Sequence, residues 1–500
     1  MDGRMMGRML GRGRLFLVCF VSLCLAACAR APIASVPAAE RDVIAANLMR
    51  DIEVLASEEF GGRKPGTDGE VRTVEFLINE MQSAGLVSGT NDPGSAWRAP
   101  VELVATTPLS GTIEFTAGGR DITPGEGQAA VLTSGRRGLI EGGELVFVGK
   151  EAESIVAEDI AGKVVVMLGE PGVSPRRRAT LFENSPAAII TVVEDNSSIE
   201  AVSRAYGRER IGLASEEQNR VTAFVTNDVM LQLLGEDRWQ SLLGAAEDEN
   251  FVPVPLSAKT SLDAQSQRRE FTSYNVIGLL PGSLRGSGAV MLLGHWDHLG
   301  DCAPDTPEPL CTGAVDNASG IAVMLELTRR LAANGPYDRD IYVLATSAEE
   351  SGLLGAKAFI DQPSVPLDDI VAAFNFDTVA IAPAGTALGF VGEGRTALDD
   401  TIRQTAAEAR RELGNKEFAE QFVRRQDGWA FLEAGVPAVF LSSAFASEIV
   451  LGPYLAERYH RPGDTIEGIE LGGAIDDLLL HEELVRRVAS TSAYTPAASQ

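Results

Sequence analysis

Histidine is scarce in this chain, four in 500 residues, and three of the four fall in polar, turn-adjacent clusters. His295 closes the apolar run Val290-Met291-Leu292-Leu293-Gly294 and is followed by Asp297 and His298; His460 stands in Tyr459-His460-Arg461-Pro462-Gly463-Asp464. Only His481 lies inside a plain helical pattern. An imidazole at a strand end with a carboxylate two residues on suits a metal ligand oriented by a second group. Further acids also follow apolar runs: Asp316 in Gly313-Ala314-Val315-Asp316-Asn317, Glu349 and Glu350 after residues 341–345, and Asp377 after residues 372–376. Each has a plain reading taken singly, as a helix cap, a first-turn acid, a turn residue or a satisfied surface histidine. As the ordered set His, Asp, Glu-Glu, Asp, His at strand carboxyl ends, they read as one ligand constellation. Imidazole and carboxylate donors without thiolate suit zinc or another borderline divalent cation, and an odd donor set with a bridging carboxylate suits a pair.

The elements that must position these groups show in the periodicity. From Tyr274 onward, apolar runs at residues 290–293, 341–345 and 372–376 alternate with helical stretches at 318–333 and 396–412, which predicts a layered α/β fold. Upstream, Ile44, Leu48, Ile52 and Leu55, then Val71, Val74, Ile78 and Met81, recur at helical spacing and predict two amphipathic helices. Between them Gly61-Gly62-Arg63-Lys64-Pro65-Gly66-Thr67 is a turn-rich loop. The texture changes over residues 97–256, where short β-branched runs at 143–148, 163–168, 188–193 and 221–225 indicate a mostly β module. Arg176-Arg177-Arg178 in that module reads as a solvated loop, with docking of acidic groups as the alternative.

The first 27 residues read as an export signal: Arg4, Arg8, Arg12 and Arg14 precede an apolar run too short to span a bilayer comfortably. Leu25-Ala26-Ala27-Cys28 has the form of a bacterial lipobox, which makes Cys28 the expected lipid attachment point and residues 28–39 a tether; an ordinary secretory signal is the alternative. The expected protein faces the periplasm from a membrane, the outer one preferred because Ala29 rather than aspartate follows Cys28. Of five cysteines, Cys302 and Cys311 then remain in the folded body, either as a disulfide around a proline-rich loop or as two free thiols. The formal net charge of −27 disfavours a nucleic-acid partner.

These motifs together resemble the two-zinc exopeptidases of clan MH, the family of secreted bacterial aminopeptidases, plasma glutamate carboxypeptidase, the transferrin receptor group and, more distantly, the glutaminyl cyclases. The loop at residues 61–67 resembles the family's Gly-Arg-x-Pro-Gly-Thr stretch, Tyr274-Asn275-Val276-Ile277-Gly278 its entry strand, and Asp159-Ile160-Ala161-Gly162-Lys163-Val164 part of an inserted protease-associated domain. The resemblance implies an α/β fold, a mixed and mostly parallel sheet flanked by helices, with a mostly β insert at 97–256 dividing a peptidase domain into residues 40–96 and 271–497. It implies two zinc ions per chain: His295 and Asp377 on one, Glu350 and His460 on the other, Asp316 bridging. It further implies Glu349 as general base, Asp297 supporting His295, Tyr459 donating to the oxyanion, and peptides as substrates, cleaved from the amino end. A dipeptidase or carboxypeptidase, a cyclase and a catalytically dead binding scaffold are the alternatives. Two departures stand out. Val315 replaces a second aspartate found in many relatives, and Gln426-Asp427-Gly428-Trp429-Ala430-Phe431 lacks the family's histidine near the substrate pocket.

Overall fold

The computed structural model describes residues 36–496, apart from 152–153, 171–172, 217–218 and 249–250. The expected signal, Cys28 and most of the tether lie outside the described residues. Two helices open the structure, α1 (Ala38–Leu55) and α2 (Asp68–Ser83). The stripe expected on α1 is buried throughout. On α2 the buried stripe is Thr73, Val74, Leu77, Ile78 and Met81, and Val71, a quarter-turn off its centre, is 55% exposed.

The sheet beyond the middle block is built on six strands: β1 (Val254–Leu280), β2 (Ala289–His295), β3 (Asp340–Thr346), β4 (Ile370–Asn375), β5 (Gly389–Val391) and β6 (Ala438–Ser442). Their order across the sheet is β5-β6-β4-β2-β3-β1. β6, β4, β2 and β3 run parallel, while β5 and β1 close the two sides antiparallel. All seven residues of β2 are buried, as a central strand covered on both faces requires. Its period of two sends Val290 and Leu292 to one core with α1, α3 (Gly320–Asn334) and α5 (Gly472–Val488). Met291 and Leu293 go to the opposite core, with Phe359 of α4 (Leu354–Asp361) and Phe431. This is the mixed, mostly parallel α/β sheet anticipated above.

The middle block joins this sheet through an antiparallel ribbon. The strand Arg98–Ala117 pairs with β1 from Arg98 opposite Val276 to Ala117 opposite Ala258, and β1 also pairs with Arg137–Gly149. From there the parallel strands Arg137–Gly149, Val164–Leu168, Ala188–Val193 and Val221–Thr226 follow in order, with Ala129–Thr133 antiparallel on the far edge. The four β-branched runs are all strands, with helices such as Ser174–Glu183, Asn196–Tyr206 and Asn227–Leu234 between them. Phe147, Trp239 and Phe251 centre a separate core, with ring centroids 5.5 and 5.6 Å from Phe147. Arg176 to Arg178 lie in the helix Ser174–Glu183, not in a solvated loop, and Arg178 is buried. Cys302 and Cys311 form a disulfide, with Cα atoms 5.7 Å apart, across a small two-stranded hairpin. Among the described residues no helix is long and apolar enough to cross a membrane.

Candidate metal centre

The carboxyl ends of β2, β3 and β4 meet at one point. His295 is the last residue of β2, Glu349 and Glu350 follow β3 by three and four residues, and Asp377 follows β4 by two. Asp316 comes from the tight segment Ala314–Ser319 that leads into α3. The His295 Nε2 lies 3.3 Å from Asp316 Oδ1 and 3.5 Å from Asp377 Oδ1. On the other side of Asp316, Oδ2 lies 3.3 Å from His460 Nε2, which is itself 2.8 Å from Glu350 Oε2. The second oxygen of Glu350 receives His298 Nδ1 at 2.6 Å. Two donor groups therefore share Asp316: His295, Asp316 and Asp377, and His298, Asp316 and Glu350, with His460 joining the second.

These spacings fit cations. Donors at 2.0–2.2 Å around a tetrahedral ion stand about 3.3 to 3.6 Å from one another, close to the values found at His295. The Nε2 of His298 is buried without a hydrogen-bond partner. Burial should expel charge, yet contacts among the donors dominate. Burial opposes the His460 cation, but its bonds to Asp316 and Glu350 outweigh this and carry it to about 10. Asp316, buried too, is held well below the carboxylate range by His295 and His460. Glu349 behaves oppositely: burial and the nearby charges of Asp427, Glu350 and Asp377 push it well above that range. Its Oε2 is 3.9 Å from His295 Nε2, outside the nearest donor shell.

A supporting frame holds the donors. The Asn317 amide donates to the carbonyls of His295 (3.1 Å) and Phe376 (3.0 Å), and its oxygen accepts from Gly320 and Thr378 N–H, so one side chain ties β2, β4 and α3 together. Asp464 accepts the N–H groups of Val315 (3.1 Å) and Asp316 (3.0 Å) and the Tyr454 hydroxyl (3.0 Å). Arg63, from the turn-rich loop, is fully buried and donates to the carbonyls of Leu55, Trp296, Thr312 and Gly313. Burial lowers its pKa to about 10, and four nearby carboxylates work to raise it. Gly313 has φ +60°, and a Cβ there would sit 2.1 Å from Asp316 O and 2.6 Å from the His298 ring, so only glycine fits. Arg63, Ala348, Thr378 and His460, none of them glycine, also hold positive φ (52°, 54°, 48° and 57°), which places backbone strain around the donors.

His295, Asp297, Asp316, Glu349, Glu350, Asp377, Tyr459 and His460 come together at this centre, whereas Cys302 and Cys311 lie in their own hairpin. His295 Nδ1 bonds the backbone oxygen of Asp297 at 3.1 Å, while the Asp297 carboxylate, 3.9 Å from that ring, accepts the Glu349 N–H at 3.0 Å. Burial pushes Asp297 up to about 7. Tyr459 stacks on His460, with centroids 3.8 Å apart, and its hydroxyl accepts from Arg425 at 3.3 Å. His298, Asn317, Asp464 and Asp427 were not assigned roles from the sequence. His298 had a signal, since a scarce histidine one residue past Asp297 turns back toward the donors. Asp427, inside the stretch that lacks a histidine, is buried against Thr346 and is raised to about 6 by that burial.

A small cavity of about 30 Å³ leads off this centre. His295, Glu349 and Asp377 form its polar end; Phe422, Phe440, Phe445, Leu451 and Leu455 form an apolar end.

The comparisons agree with this geometry. Residues 275–477 match the model of peptidase family M28. The aminopeptidase YwaD of Bacillus subtilis is 28% identical over 232 residues, 44% of this chain, and the match spans about half (47%) of that relative's length. The probable lipoprotein aminopeptidase LpqL of Mycobacterium tuberculosis is 22% identical over 458 residues, 86% of this chain and 81% of its own. In fold, the chain is similar to an aminopeptidase from Aneurinibacillus sp. strain AM-1, with a TM-score of 0.55, 18% identity, and 91% and 96% of the two chains covered. The segment that carries every donor of the centre, residues 275–477, is thus the part of this chain that is similar to peptidase family M28.

Proposed function

We propose that the protein is a two-zinc aminopeptidase that removes N-terminal residues from peptides. The observation that carries this reading is the pair of donor groups sharing Asp316, with Glu349 beside them but outside the donor shell, at the polar end of an apolar cavity. His295 and Asp377 would hold one zinc and Glu350 and His460 the other, with Asp316 common to both donor groups, while His298 steadies Glu350. Bound zinc supplies a water of lowered pKa and a polarised scissile carbonyl. Glu349 accepts the proton of the attacking water and returns it to the departing amine, a task suited to a carboxylate raised by burial. The Asp297 carboxylate fixes the Glu349 backbone, which keeps this base on its strand end. Tyr459, whose oxygen already accepts from Arg425, has its own proton free to donate to the developing oxyanion. The phenylalanines and leucines of the cavity take an apolar side chain next to the scissile bond. Residues 97–256 act as a protease-associated module beside the cleft, and Cys28 anchors the exported protein to a membrane facing the periplasm.

Elemental analysis of the purified mature chain, with aminoacyl anilide hydrolysis before and after chelation, tests this reading. Two zinc per chain and cleavage that requires a free α-amine are expected. Cleavage that requires a free carboxylate instead would make it a carboxypeptidase, and one zinc without cleavage would favour a cyclase. Replacing Glu349→Gln should leave zinc content unchanged and lower kcat by roughly 10²- to 10⁴-fold. Full activity in that variant sinks the assigned base.

A further inference from the structure

The middle block holds two arginines that the peptidase reading does not use. Arg178, on the helix Ser174–Glu183, is 8% exposed, donates to the Tyr206 hydroxyl at 2.8 Å and to Thr191 Oγ1 at 3.4 Å, and lies 5.0 Å from the Phe224 ring centroid. Arg210 opens the strand Arg210–Leu213, and its guanidinium lies 5.4 Å from the Tyr206 ring centroid, to which that of Arg178 is 5.9 Å. Its Nε is buried without a hydrogen-bond partner. Among the described residues neither arginine pairs with a carboxylate. Glu209 is engaged by Lys64 at 3.0 Å and Arg269 at 3.7 Å, and Glu216, on the wall of an adjoining cavity, forms no ion pair with either.

A buried and a half-buried cation with no carboxylate partner are costly close together, and here they occur in a chain of net charge −27 with acids to spare. Both line one cavity of about 270 Å³, whose walls also carry the hydroxyl-bearing Thr133, Ser134 and Thr222 and, at the rim, Arg220. Aromatic stacking and hydroxyl donors suit guanidinium groups presented edge-on to a ligand. We propose that this cavity is an oxyanion site that takes a carboxylate or a phosphate group between Arg178 and Arg210. Arg210 also lines the larger cleft, about 580 Å³, that reaches His298, Glu350 and His460.

Isothermal titration of the metal-loaded mature protein tests the site, with N-acetylglycine as the carboxylate probe, inorganic phosphate as the second and N-acetylglycinamide as the neutral control. One equivalent of an anion should bind to the wild type and equally to Asp377→Asn, which disturbs only the metal centre. Arg210→Gln, on a half-exposed wall residue whose loss leaves the fold intact by its melting temperature, should bind at least tenfold more weakly. Arg178→Lys should weaken binding less, since it keeps charge and loses the fork. Binding of N-acetylglycine alone assigns a peptide or amino-acid carboxylate, and of phosphate alone a phosphate source. No binding of either anion, equal binding of the neutral amide, or unchanged affinity in Arg210→Gln overturns the proposal. Loss of binding in Asp377→Asn alone would place the anion on the metal centre and overturn it too. None of these readouts depends on peptidase turnover, so the site stands or falls apart from the proposed function.

Discussion

The donors of the metal centre were readable because each is a rare residue type at the end of an apolar run. What holds them was not. Arg63 sits 233 residues from Trp296 and 250 from Gly313, and nothing local marks it as the residue that fills their two carbonyls together with those of Leu55 and Thr312. Arg63→Leu is expected to lower unfolding free energy by about 3 kcal/mol or more, since four buried carbonyls lose a charged donor. Arg63→Lys should recover only part of this, because one ammonium cannot span the same four oxygens. Urea midpoints of the two variants check both statements. His481 gives a second test. Its Nδ1 donates to the Asp477 carbonyl at 2.7 Å, its Nε2 is buried without a partner, and burial lowers its pKa to about 4. The unfolded chain therefore takes up this proton first as pH falls. The neutral histidine's contribution is complete above about pH 6.5, is lost down to about pH 4 and is constant below that, a change of roughly 3 kcal/mol. In His481→Leu that part of the acid-induced loss should disappear from pH-dependent urea unfolding.

At the scale of elements, alternation of apolar runs and helical stretches was enough to predict the sheet, because β2, β3 and β4 are buried on both faces and have no polar face to blur the pattern. The antiparallel ribbon between the blocks was not legible. Its pairing joins residues about 160 apart, and its exposed face dilutes the apolar signal in Arg98–Ala117 and the first half of β1. The triple-arginine stretch was misread for a related reason: aromatic and hydroxyl groups from other elements, Phe224 and Thr191, bury Arg178, and no local feature announces them. The loop between Cys302 and Cys311 carries its own prediction. Its closure over a sequence separation of nine residues limits the unfolded chain, so Cys302→Ser with Cys311→Ser should lower stability by about 2 to 3 kcal/mol. Because Arg208 donates to Cys302 O at 2.9 Å, the same double variant should also loosen the contact between the middle block and the metal cleft, read as faster hydrogen exchange at residues 206–213.

The whole molecule is strongly acidic, with a formal net charge of −27, and its cleft shares that long-range field. Substrates carrying a free amine are drawn toward such a cleft and acidic peptides are held back. On the proposed function, kcat/KM for basic peptides should fall several-fold between low salt and about 150 mM, where the Debye length is about 8 Å, while that for acidic peptides should rise. A flat salt response for both would place steering outside this enzyme's repertoire.

The chain enters the middle block between α2 and β1, so the peptidase core is assembled from pieces far apart in sequence. Arg329 of α3 reaches Asp51 of α1 across 278 residues at 2.7 Å. The middle block closes its own core from one continuous stretch and can fold as soon as that stretch is free. Helices α1 and α2 must wait with apolar stripes bare until α3 arrives, a long loop closure that slows folding and invites aggregation. The connectivity therefore leaves the donor set incomplete until His460, the last donor in sequence, is in place.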